Sequence, residues 1–135
     1  MVTETGGQLP DSDALLNKAM TCHRQGDLFD ADPLYAQAIE LDPQYAKAYH
    51  NRGVAYGKQG EYQKAVDDYS RAIELDPEFA EAYMGRGDAY TWLSEWGRAI
   101  ADYRKVLSLT DDSKLIRKAE VALERVAVTG APEEE

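Results

Sequence analysis

Cysteine is nearly absent from this chain: its 135 residues include one, Cys22. A single thiol forms no internal disulfide, so the fold must be held by packing, and a reducing setting, the cytoplasm, is expected. Histidine is as scarce, with His23 and His50 alone, and there is no glycine-rich phosphate loop. Long apolar runs are missing. No window approaches the ~18 consecutive apolar residues of a spanning helix, and Met1 to Gly7 lack the basic-then-apolar pattern of a secretory leader. Proline and glycine, at five and ten residues, are too few for a disordered or fibrous chain. Bases are outnumbered, 15 against 25 acids, for a net charge of −10. Five of those acids, Glu4, Asp11 and Glu133 to Glu135, fall in expected tails, leaving 20 acids against 15 bases. Nucleic acid and anionic membrane are therefore not expected as partners, because both are held by clustered Lys and Arg. A content of 30% charged and 44% apolar residues fits one globular domain.

What is present is repetition. Ala46, Ala48, Tyr49, Arg52, Gly53, Ala55 and Tyr56 return 34 residues later as Ala80, Ala82, Tyr83, Arg86, Gly87, Ala89 and Tyr90. Glu61, Ala65, Asp68 and Tyr69 return as Glu95, Ala99, Asp102 and Tyr103. A fixed period of roughly 20 to 50 residues marks stacked supersecondary units. A more divergent copy precedes them, with Leu15, Ala19 and Cys22 in the places of Tyr49, Gly53 and Tyr56, and Ala31, Tyr35, Ala38 and Pro43 in those of Ala65, Tyr69, Ala72 and Pro77. Three copies result, at 12–45, 46–79 and 80–113.

Each copy breaks at Gly26, Gly60 or Ser94 between two stretches of 3.6-residue apolar spacing, which predicts a helical hairpin. Asp42-Pro43 and Asp76-Pro77 close the first two hairpins. Gly53 and Gly87, facing Ala65 and Ala99, predict close helix approach, since glycine inside a helix costs about 1 kcal/mol relative to alanine. Pro33 predicts a kink or a late start to its helix. After Asp112, Ser113 is expected to cap a last helix over 114–128, with Leu115, Ile116, Ala119, Ala122, Leu123 and Val126 as its apolar stripe. Residues 1–11 and 129–135 read as a flexible lead-in and a disordered acidic tail.

The second copy, Tyr49-x-x-Arg52-Gly53-x-x-Tyr56 with Ala65, Tyr69, Ala72 and Pro77, resembles the tetratricopeptide repeat, and the resemblance covers about 102 of the 135 residues. Val106, Asp111, Cys22 and Asp32-Pro33 depart from the pattern. The resemblance implies an all-α fold, a right-handed superhelical solenoid of three antiparallel helix-turn-helix repeats with a C-terminal capping helix. It also implies a protein-interaction scaffold, adaptor or co-chaperone-like, that holds a peptide or helical segment in a concave groove lined by the first helices. The positions carried over are Asp13, Leu16, Asn17, Met20, His23 and Arg24; Lys47, His50, Asn51, Val54 and Lys58; and Glu81, Met84, Asp88, Thr91 and Trp92. Of these, Asn17, Met20, Arg24, Lys47, His50, Asn51, Val54, Lys58, Met84, Asp88 and Trp92 form the expected binding site. The chaperone-type carboxylate clamp would place its Lys, Asn and Arg at Leu16, Met20, Asn51, Glu81 and Gly85, where only Asn51 matches. Binding of chaperone tails through such a clamp is not expected.

Leu16, Met20, Val54, Met84 and Trp92 would give the groove an apolar component, with Trp92 either anchoring a ligand or packing on the last helix. Cys22, His23 and His50 invite a metal or thiol site. His23 and His50, however, fall seven helix positions apart in height, about 10 Å, on helices whose axes pack ~8–10 Å apart. No metal, cofactor or catalytic site is expected, and the chain reads as a non-enzyme. The alternative is a structural protein that assembles on itself or on a larger complex through its ends and convex face. A monomer or weak homo-oligomer is expected.

Overall fold

In the computed structural model, which describes residues 11–129, Asp11 opens the first helix by accepting a hydrogen bond from the Ala14 N–H at 2.8 Å. Seven helices follow in order: α1 (Ser12–Arg24), α2 (Leu28–Leu41), α3 (Ala46–Lys58), α4 (Tyr62–Leu75), α5 (Ala80–Trp92), α6 (Trp96–Leu109) and α7 (Ser113–Thr129). No strand occurs among the described residues. The all-α hairpin architecture expected from the repeat is thus the observed one.

The hairpin turns fall at the three expected breaks. Gly26 and Gly60 take φ of +82° and +80°, left-handed values that glycine adopts without a Cβ penalty. Ser94 occupies the same point of the third copy at φ +61°, so this turn carries a local strain the other two lack.

Helices pack as pairs α1/α2, α3/α4 and α5/α6, and each pair packs on the next element. The odd-numbered helices also touch one another in a row, α1 to α3, α3 to α5 and α5 to α7, whereas α2, α4 and α6 do not touch each other. An array closed along one layer and splayed along the other is curved, with α1, α3, α5 and α7 on the inner side. That curvature makes a groove.

Buried tyrosines fill the hairpins. Tyr35, Tyr69 and Tyr103, each 34 residues from the next, are all buried between the two layers. Gly53 admits the Tyr69 ring, and Gly87 the Tyr103 ring: a Cβ on either would lie 3.1 Å or 2.7 Å from it. Gly85 provides a third close approach, since a Cβ there would come within 2.6 Å of Tyr69 Cε1. Tyr69 therefore sits between a glycine of its own hairpin and a glycine of the next.

Two ion pairs repeat with the same period. Arg52 grips Asp68 through Nε and Nη2 at 2.7 and 2.9 Å, and Arg86 grips Asp102 the same way at 2.8 Å for both bonds. Both aspartates are buried. The first copy has Lys18 and Leu34 at these places and no such pair.

Several details differ from expectation. Pro33 neither delays nor divides α2, which begins at Leu28 behind the Asp27 cap. The carbonyl that Pro33 leaves without a donor belongs to Phe29, a residue 88% exposed to solvent. Asp112, not Ser113, caps α7, accepting from the Lys114 N–H at 3.0 Å. Asp11 and Thr129, assigned to tails, belong to the folded body as the cap of α1 and the end of α7. The remaining tail expectations, for 1–10 and 130–135, lie outside the described residues.

Candidate binding groove

On the inner side, α3, α4, α5 and α7 enclose a concave cavity of about 600 Å³. Six of the eleven expected site residues line it together: His50, Val54, Lys58, Met84, Asp88 and Trp92. A second cavity, of about 460 Å³, continues the groove past His50 and Glu81 and takes in Lys47 and Asn51. The three expected residues of α1 are placed elsewhere. Asn17, Met20 and Arg24 line neither cavity; Arg24 turns back to the Thr21 hydroxyl, and the Met20 sulfur accepts from the Asn51 amide at 3.2 Å. Leu16, expected to face the groove, is 1% exposed and belongs to the core of the first hairpin with Tyr35 and Ala38. It lies in the turn of α1 that carries Leu15 and Ala19, the face that packs against α2.

Trp92, expected either to anchor a ligand or to pack on the last helix, stands at the cavity's edge and also lines a smaller cavity with Ala122, Arg125 and Val126 of α7. It is 69% exposed and stacks flat on Tyr62, with ring centroids 5.4 Å apart and planes 3° from parallel. Tyr62 fixes the indole without covering it, so a large apolar face stands open at the cavity's edge. Such rigid aromatic surface is what anchors partner segments in interfaces.

Polar groups in the groove are oriented by hydrogen bonds whose direction follows from chemistry. Met20 sulfur can only accept, so Asn51 points its NH2 there and offers Oδ1 to His50 Nδ1 at 3.0 Å. His50 therefore carries its proton on Nδ1. Burial lowers its pKa, against the opposing Asn51 bond and the nearby Glu81, and the ring packs beside Tyr69 and Phe79 as a neutral group. On α5, Asp88 accepts from the Tyr103 hydroxyl at 2.7 Å. The surrounding protein pushes its carboxyl upward, while the Tyr103 bond and the charges of Arg125 and Lys118 hold it down.

The sequence reading missed the contribution of α7. Leu115 and Lys118 line the main cavity, and Arg117, Lys118, Val121 and Arg125 form one side of an adjoining cavity of about 370 Å³. Their spacing on one helical face was visible, but which face meets α5 was not.

Cys22 is partly buried against the first hairpin core, and the His23 ring meets the Tyr35 hydroxyl at 3.4 Å through Nδ1. Among the described residues no cluster of His, Cys, Asp or Glu is arranged to hold a metal ion. No described helix is long and apolar enough to cross a membrane.

Comparison with known families bears on this geometry directly. Two family profiles match, one described as "Tetratricopeptide repeat" over residues 46–79 and one as "TPR repeat" over 21–60. The chain carries tetratricopeptide repeats. Solved tetratricopeptide-repeat domains share its architecture along nearly their whole length. The first such domain of Spaghetti (RPAP3), bound to the HSP90 peptide SRMEEVD, is 25% identical with a TM-score of 0.85, covering 90% of this chain and 94% of that one. The domain of Arabidopsis OM64 is 29% identical with a TM-score of 0.81, covering 87% and 95%. The second domain of human RPAP3, in complex with the HSP70 peptide SGPTIEEVD, is 28% identical with a TM-score of 0.78, covering 85% and 93%. A comparison with curated protein sequences gives no match. The family's fold is a scaffold for interactions between proteins, and this chain has that scaffold.

Proposed function

We propose that this tetratricopeptide-repeat protein is a cytoplasmic adaptor, co-chaperone-like in construction, that holds a segment of a partner protein against α3, α5 and α7. The carrying observation is Trp92, held open on Tyr62 at the edge of a cavity of about 600 Å³. Val54 and Met84 supply apolar walls beside it, and Lys58, Lys118, Glu81 and Asp88 supply polar ones. The peptides bound by the RPAP3 domains support a peptide ligand over self-assembly. Recognition by a carboxylate clamp is not part of this proposal. Leu16 is buried, Met20 has no donor, Gly85 has no side chain, and Glu81 would repel an anion, so four of the five clamp positions offer nothing to a terminal carboxylate.

The test is selection of peptides from a random twelve-residue display library on the wild-type protein. Enriched peptides should lose at least tenfold in affinity to Trp92→Ala, and labelled SRMEEVD should bind at least tenfold more weakly than they do. Failure to enrich any peptide, or full affinity for a folded Trp92→Ala variant, contradicts the groove reading.

A further inference from the structure

Tyr35, Tyr69 and Tyr103 occupy one position of the repeat, yet their hydroxyls meet different surroundings. Tyr35 meets His23 Nδ1 at 3.4 Å. Tyr103 meets the Thr91 hydroxyl at 3.0 Å and donates to Asp88 at 2.7 Å. In the middle copy the residue in register with His23 and Thr91 is Gly57, and the one in register with Asp88 is Val54. Neither residue offers the hydroxyl a side-chain partner. The Tyr69 hydroxyl makes no hydrogen bond among the described residues, although the residue is only 5% exposed and lines the main cavity.

Space around the hydroxyl has been cleared as well. Gly57 leaves nothing within 4 Å of where its Cβ would stand, and a Cβ on Gly85 would lie 2.7 Å from the Tyr69 oxygen. Tyr69 thus reaches from α4 between α3 and α5, and its hydroxyl opens on the concave side. In the free protein the hydroxyl is open to water through the cavity. A segment that fills the cavity strips that water away, and leaving a buried hydroxyl unpaired weakens binding by more than a typical hydrogen bond strengthens it.

The geometry points to Tyr69 as a specificity-determining residue whose hydroxyl donates a hydrogen bond to an amide carbonyl of the bound segment. This rests on the reading that the groove holds such a segment. Burial pushes the hydroxyl's pKa well up, with Asp88 and Asp68 adding to it, so it keeps its proton and donates. A neutral acceptor suits the site, because Lys58 and Lys118 balance Glu81 and Asp88 around the cavity and His50 is held neutral.

Tyr69→Phe is the direct test, since it removes one oxygen and no internal hydrogen bond, and should melt at or above the wild-type temperature. Its affinity for the tightest library-selected peptide should fall about tenfold, by an amount that stays constant between low and high salt. Gly57→Thr should place a hydroxyl beside Tyr69 as Thr91 does beside Tyr103, and should lower affinity more than Gly57→Val, which adds the same bulk without the oxygen. If Tyr69→Phe binds within twofold of wild type while Trp92→Ala loses binding, the Tyr69 inference is wrong and the groove reading survives. A loss that vanishes at high salt would show a carboxylate acceptor and overturn the amide assignment. If no peptide is enriched, or if neither substitution matters, both fall.

Discussion

One added carbon on the right glycine should separate packing from openness. Gly85→Ala forces a Cβ against a Tyr69 ring already confined by Gly53, and overpacking of this kind costs about 1–3 kcal/mol. Gly57→Ala adds the same carbon to open space and should gain about 0.5–1 kcal/mol from the lower entropy of the unfolded chain. Urea denaturation of the two variants should move their midpoints in opposite directions. Ser94→Gly should also stabilise, by about 0.5–1 kcal/mol, because it relieves a left-handed serine at φ +61°; an unchanged midpoint would mean the turn is not strained. Gly53 and Gly87 were readable in the sequence because their tyrosines lie in the same copy. Gly85 was not: its neighbour Tyr69 comes from the preceding hairpin, and a repeat pattern does not say which faces of successive copies meet.

Between elements, the two Arg–Asp pairs act as rivets within hairpins, and Arg86 also donates to Ser70 of α4 at 3.1 Å, tying three helices together. Hydrogen bonds donated to Asp102 hold the Arg86 guanidinium protonated against the cost of burial. Asp102→Asn should cost about 1–3 kcal/mol, since it leaves a half-buried guanidinium poorly paired. Breaking the surface pair Arg71–Glu74 with Glu74→Gln should change stability by less than ~0.5 kcal/mol. Equal effects in chemical denaturation would contradict this ranking. The helices themselves were legible from apolar spacing and from the proline and glycine breaks. The α7 cap was less so, because Asp112 and Ser113 are adjacent residues able to serve, and only the backbone geometry picks Asp112. Leu16 was misplaced for a related reason: the divergent first copy has no tyrosine or glycine to mark the buried face of α1.

At the scale of the whole array, stability should be uneven. The first hairpin lacks the Arg–Asp rivet and carries Pro33, so its amides should exchange with solvent faster than those of α3 to α6. Uniform protection across all helices would contradict that gradient. Alkali should unfold the protein over a defined window. Burial, the leading cause for both, raises the tyrosines Tyr35 and Tyr45 from 10.0 to about 12, with the neighbouring carboxylates adding to it, and pushes Tyr69 and Tyr103 further still. A pKa raised on folding gives stability that is complete below the unfolded value and is lost as pH rises through the folded one. Thermal midpoints should therefore fall as pH rises from about 10 to 12, in step with tyrosinate absorbance. That the odd-numbered helices form the inner face was legible in the repeat; that α7 lines the main cavity and α1 does not was not, because this depends on how the ends of the array pack. The most direct measurement is photocrosslinking of a library-selected peptide to protein carrying benzoylphenylalanine at position 54 on the inner face or at position 63 on the outer face. The account predicts a crosslink from position 54 and none from 63, and crosslinking from 63 alone would contradict it.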